Sequence, residues 1–139
     1  MEMSECVYHR GGSKKYVLDE PFKTIIPFKP SKEIITSYAR LDVDGYLEIY
    51  SSYEWDGASG PTIDTDNTMD GSLVHDVLYQ FLRERRFGSK NWIQRSMLRH
   101  QADKCIYTML VDDGMSKFRA GYWYLSLRVA GFPCIRSKI

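Results

Sequence analysis

The eight residues Leu73-Val74-His75-Asp76-Val77-Leu78-Tyr79-Gln80 mark the point where the chain changes its periodicity. Val74, Val77, Leu78 and Phe81 recur three and four apart, which predicts an amphipathic helix from Ser72 to about Arg86. Before this stretch the apolar residues alternate; after it they keep helical spacing. Strands first and helices afterwards point to an α+β fold. We expect a small antiparallel β-sheet in the N-terminal half followed by three helices. The 139 residues suit one domain.

Working upstream, Tyr46, Glu48 and Tyr50 alternate with Leu47, Ile49 and Ser51, the pattern of a half-buried strand. Asp44-Gly45, between Ile34–Val43 and Tyr46–Tyr53, reads as a two-residue hairpin turn. Tyr16–Leu18 and Phe22–Phe28 are short β-prone runs. Pro21, Pro27 and Pro30 punctuate them, which confines them to edge strands or strand ends. The sheet is therefore expected over 16–53, after a flexible polar segment 1–15 and before an irregular loop 54–71, with Asp70 or Ser72 capping the first helix. Downstream, Gly88 is expected to close that helix. A second helix is predicted for Trp92–Asp112, with Ile93, Met97, Leu98, Cys105, Ile106, Met109 and Leu110 inward. A third is predicted for Lys117 to about Ala130, with Phe118, Tyr122, Leu125 and Val129 inward.

Composition excludes several classes. Hydrophobic residues make up 43% and charged residues 27%, ordinary for a soluble globular protein. The net charge of +1 gives no overall field for nucleic acid or an anionic membrane. The basic residues are not striped with aromatics, and no nucleic-acid partner is expected. No run of 18 apolar residues occurs, so no transmembrane segment is predicted. Met1–Glu5 lacks a basic segment followed by an apolar run, so no signal peptide is expected. Cys6, Cys105 and Cys134 are three and widely spaced, which argues against a zinc knuckle or a disulfide framework. Ten tyrosines must enter a core or meet a partner.

The candidate site gathers around His75. Neighbouring helical residues point about 100° apart, so His75 and Asp76 serve two adjacent tasks, such as a base and a cation ligand. His75 and Tyr79, four apart, share a face. Asp103 on the next helix reaches His75 if the two helices run antiparallel; an acid there would fix the tautomer and raise the basicity of the imidazole. Asp64, Asp66 and Asp70 crowd the preceding segment, but the EF-hand pattern fails at its glycine or its last position. There is no P-loop, no G-x-S-x-G elbow and no H-E-x-x-H zinc motif. The same residues also read as a buried polar network tying a loop to the helices.

Asp56-Gly57-Ala58-Ser59 with Pro61, then His75-Asp76-x-Leu78-Tyr79, then Ala102-Asp103 resembles a small family of tailed-phage and bacterial proteins catalogued only as domain of unknown function 1353. The likeness spans residues 45–130 or so and implies a phage context, in the host cytoplasm or the virion. A more distant likeness is to phospholipases of the secreted and parvoviral type. It implies His75 as the base that activates water, Asp103 as its orienter, and calcium held by Asp76 with Asp56 and Gly57. Trp55, Ser59 and Tyr79 would then meet a lipid or ester substrate. The competing expectation is a non-enzymatic phage protein, a virion or tail component or an inhibitor of a host protein, in which these motifs are structural. A peptidoglycan-directed lysis enzyme is a third.

Overall fold

The computed structural model describes residues 6–11, 14–55, 66–88, 92–112 and 116–130. The fold is α+β, with seven short strands followed by three helices among the described residues. The chain divides into two compact units, Met1–Gly57 and Ala58–Ile139.

The first unit holds two antiparallel sheets. In the three-stranded one, β2 (Tyr16–Leu18) lies between β1 (Tyr8–Arg10) and β7 (Glu54–Trp55). Tyr8, Tyr16 and Trp55 stack edge-on or tilted, with ring centroids 5.4–5.9 Å apart, and Trp55 is fully buried. This cluster explains why residues 8–10 form a strand where the sequence reading expected a flexible tail: Tyr8 brings an aromatic face to a pair already in place. The four-stranded sheet runs β3 (Phe22–Ile25), β6 (Tyr46–Ile49), β5 (Ala39–Leu41), β4 (Ile34–Ile35). Its register puts Phe22, Ile49 and Ala39 in one buried row and Thr24, Leu47, Leu41 and Ile34 in the next. On the other face Lys23 and Arg40 flank Glu48 across the strands, a charge-compensated row that suits solvent. The proline-punctuated β3 is an edge strand, as expected, whereas Tyr16–Leu18, read in the same way, is the central strand of its sheet, because Pro21 lies beyond the paired residues.

The β5–β6 turn is one residue longer than the Asp44-Gly45 reading. Asp42 N–H bonds to the Tyr46 carbonyl at 3.0 Å, and Gly45 N–H to the Asp42 carbonyl at 3.2 Å, so the loop is Val43-Asp44-Gly45. Asp42 Oδ1 accepts from the N–H groups of Asp44 and Tyr46, each at 2.9 Å, and holds the turn open by that residue. Gly45 takes φ 91°, and a Cβ there would sit 2.4 Å from the Ile26 carbonyl oxygen. Only glycine fits both demands.

In the second unit α1 spans Asp66–Arg83, α2 Trp92–Asp112 and α3 Lys117–Ala130. The first helix begins six residues before the expected Ser72. Met69 is buried and extends the Leu73–Val77 row by one turn, which outweighs the roughly 1 kcal/mol that Gly71 costs inside a helix. Asp70 and Ser72 are therefore helical rather than caps, and Ser72 Oγ donates to the Met69 carbonyl at 3.0 Å. Asp66 and Asp70, read as loop acids, belong to this helix too. Its C-terminus is set not by Gly88 but by Arg85, which adopts φ 57°. Arg86 N–H bonds to the Phe81 carbonyl at 2.9 Å and Arg85 N–H to the Leu82 carbonyl at 3.1 Å, the paired closure of a Schellman motif.

The second and third helices keep their expected limits, and α2 buries the expected Cys105 and Ile106, but other positions expected inward face outward. In α2 the buried row is Arg99, Ala102, Asp103 and Ile106, while Ile93 and Met97 are exposed. In α3 Ala120 is buried, and Tyr124 meets His100 and Tyr107 of α2. Phe118, Tyr122 and Leu125, expected inward, are exposed. Phe118 and Ala120 differ by two residues, about 200° around the helix, so burying one exposes the other. The Val129 and Leu110 side chains lie outside the described residues.

Candidate functional site

The site is a bridge between α1 and α2. His75 and Tyr79, one turn apart on α1, bring their rings to 4.0 Å between centroids. His75 Nε2 lies 2.9 Å from Asp103 Oδ1, across 28 residues of sequence. Tyr79 OH donates to the same oxygen at 2.6 Å. Arg99 Nε donates to Tyr79 OH at 3.1 Å and stands 3.8 Å from Asp103 Oδ2. Residues 75 to 79 on one helix meet 103 to 99 on the other, so the pair is antiparallel, the arrangement that lets Asp103 reach His75.

Burial sets the electrostatics. Asp103 is 0% exposed and His75 6%; Tyr79 and Arg99 are buried with them. A carboxylate can only accept hydrogen bonds, so Nε2 of His75 carries the proton shared with Asp103. That leaves Nδ1 as the ring atom able to take a proton. The Tyr79 phenol is pushed well above its ordinary range, first by burial, then by the charge of Asp103 and the hydrogen bond to it; Arg99 pulls the other way and does not prevail. The phenol therefore stays a donor, and Asp103 holds two of them on one oxygen with a guanidinium beside the other. Cys105, two residues on, is a free buried thiol whose pKa burial pushes up to about 12, which makes it a core residue and a poor nucleophile.

The remaining expected site residues fall in different places. Asp76 is half-buried on α1. Trp55, read as a substrate contact, is packed between Tyr8 and Tyr16 in the first unit. Tyr79, read the same way, directs its hydroxyl at Asp103. Asp56, Gly57 and Ser59 lie outside the described residues. Among the described residues no three His, Cys, Asp or Glu side chains form a group able to hold a metal ion. Arg99 was not foreseen. A signal for it existed: Arg99, Ala102, Asp103 and Ile106 are spaced as one helix face, and a cation four residues before an acid on that face makes an ion pair.

Compared with known protein families, curated proteins and solved structures, the chain matches none. No helix among the described residues is long and apolar enough to cross a membrane.

Proposed function

We propose that this protein is a water-activating hydrolase of lipid or other ester substrates, with His75 as general base and Asp103 and Tyr79 as its positioning residues. The observation that carries this reading is the convergence of His75 Nε2 and Tyr79 OH on one oxygen of Asp103, at 2.9 and 2.6 Å. A carboxylate on Nε2 fixes the tautomer whose Nδ1 is basic, and it stabilises the imidazolium formed when Nδ1 takes a proton from water. Tyr79 donates to that same carboxylate oxygen and so holds the acceptor in place for the imidazole. Asp76 projects about 100° away from His75 and is the residue of this chain that would hold a calcium ion; when bound, such an ion polarises a substrate carbonyl and offsets the charge that develops there. The order of the motifs at 56–61, 75–79 and 102–103 supports a phage setting, with host lipid as the substrate within reach of a phage protein.

The burial of all four network side chains favours a second reading, in which the quartet is a structural tie between α1 and α2 in a non-enzymatic protein that binds a host or virion partner. One experiment separates the two. Calcium is titrated calorimetrically into the wild type and Asp76→Asn, with a melting curve for each, and both are assayed on fluorogenic phospholipid vesicles. The hydrolase reading expects calcium binding and ester cleavage in the wild type, both lost in Asp76→Asn at unchanged melting temperature. No calcium binding and no cleavage by the wild type would leave the structural tie.

A further inference from the structure

The balanced net charge conceals a strong asymmetry. Five of the 19 Lys and Arg residues and none of the 18 Asp and Glu residues lie in residues 116–139, so that segment carries +5 while the rest of the chain carries −4. Within it, α3 leaves Phe118 89%, Tyr122 48% and Leu125 61% exposed. These positions are spaced four and three apart, so they lie along one side of the helix. Lys117, exposed, and Arg119 stand on either side of Phe118.

We propose that α3 docks on an anionic lipid bilayer, placing Phe118, Tyr122 and Leu125 at the boundary of headgroups and acyl chains and Lys117 among the lipid phosphates. Three observations choose this occupant. An apolar stripe on an acid-free, basic helix matches a surface that is apolar beneath and anionic above. A second copy of the chain fits poorly: two α3 faces would bring positive ends together, and three side chains offer well under the roughly 800 Å² per partner of a stable interface. A nucleic acid would satisfy the charge but has no counterpart for an exposed Leu125 two turns along the helix from Phe118. The inference deepens the hydrolase reading by naming the surface on which its substrate lies, and it rests on that reading only for the substrate.

The test is sedimentation of the full chain with sucrose-loaded vesicles of ether-linked phosphatidylcholine, alone or mixed with ether-linked phosphatidylglycerol, in EDTA. Binding to the phosphatidylglycerol vesicles is expected, weakened by added salt. Phe118→Ser/Leu125→Ser is expected to weaken it on the order of tenfold or more, and Lys117→Gln by about fivefold. All three positions are at the surface, so circular dichroism melts should be unchanged. No binding to anionic vesicles overturns the proposal, as does binding that the double variant leaves intact. So does a dimer in sedimentation equilibrium that the double variant dissociates, or single-stranded DNA competing fully with the vesicles. Ether lipids have no ester to cleave and calcium is absent. Failure of the hydrolase reading therefore leaves this result standing, and failure of docking leaves the calcium titration standing.

Discussion

Tyr79→Phe removes one oxygen atom and tests whether the buried quartet is a cooperative unit. The hydroxyl donates to Asp103 at 2.6 Å and accepts from Arg99 Nε at 3.1 Å. Hydrogen bonds to charged groups contribute about 1.5–3 kcal/mol each. Both partners are charged and both are buried, so neither regains water when the oxygen goes. Deleting the hydroxyl also removes its own desolvation, which offsets part of the loss, and we expect a net destabilisation of about 2–4 kcal/mol. For a cooperative unit the size of the helical one, that lowers the melting temperature by roughly 10–20 °C. The assay is urea unfolding followed by tryptophan fluorescence, with thermal melts beside it. A change below about 0.5 kcal/mol would refute the cooperative network, since so small a value is typical of an exposed pair. The pH dependence supplies a second check. The phenol's folded pKa is raised above its unfolded value of 10.0, so its contribution is complete below pH 10 and is lost as pH rises beyond it. The wild type should therefore lose stability above pH 10 with a slope of up to about 1.4 kcal/mol per pH unit from this one group. Cys105, raised from 9.0 to about 12, slopes in the same direction in both proteins. The difference between wild type and Tyr79→Phe isolates the phenol, and parallel curves from pH 9 to 11 would contradict its assignment as a buried donor.

Two further substitutions probe the scaffold. Gly45→Ala places a Cβ 2.4 Å from the Ile26 carbonyl oxygen at φ 91°, and a loss of about 2–4 kcal/mol in urea unfolding is expected; a loss under about 1 kcal/mol would mean the loop relaxes around the methyl group. Arg85→Gly should stabilise by about 0.5–1 kcal/mol, because the left-handed angle at φ 57° suits glycine better than arginine; a lower melting temperature in the variant would show that the arginine side chain holds more than the turn.

Much of the site's chemistry could be read from one dimension because it is local. His75, Asp76 and Tyr79 fall within a single helical turn, so their relative directions follow from helix geometry alone. Asp103 was harder: it lies 28 residues away, and only the expectation of antiparallel packing, with the order of the motifs, brought it to His75. Arg99 escaped because a charged residue in a helix is ordinarily read as solvent-facing. Its burial makes sense only once Asp103 and Tyr79 are there to meet it.

The sequence by itself determined what depends on near neighbours: strands before helices, the alternation of Leu47 and Ile49, the limits of α2 and α3, and the proline-marked edge strand. In α1 the stripe marked by spacing, Val74, Val77, Leu78 and Phe81, is the buried one, whereas in α3 tertiary structure decided which side faces inward. Apolar spacing in α3 marks Phe118, Tyr122 and Leu125 as one stripe, but a stripe is not a direction. The small Ala120 and the hydrogen-bonding Tyr124 turn toward α2 instead, because a close approach of two helices favours a small side chain and a satisfied polar one. In α2 the interior row is mixed: Ala102, Cys105 and Ile106 are buried as apolar residues, and Arg99 and Asp103 join them because each, once buried, needs the other and Tyr79 as partners.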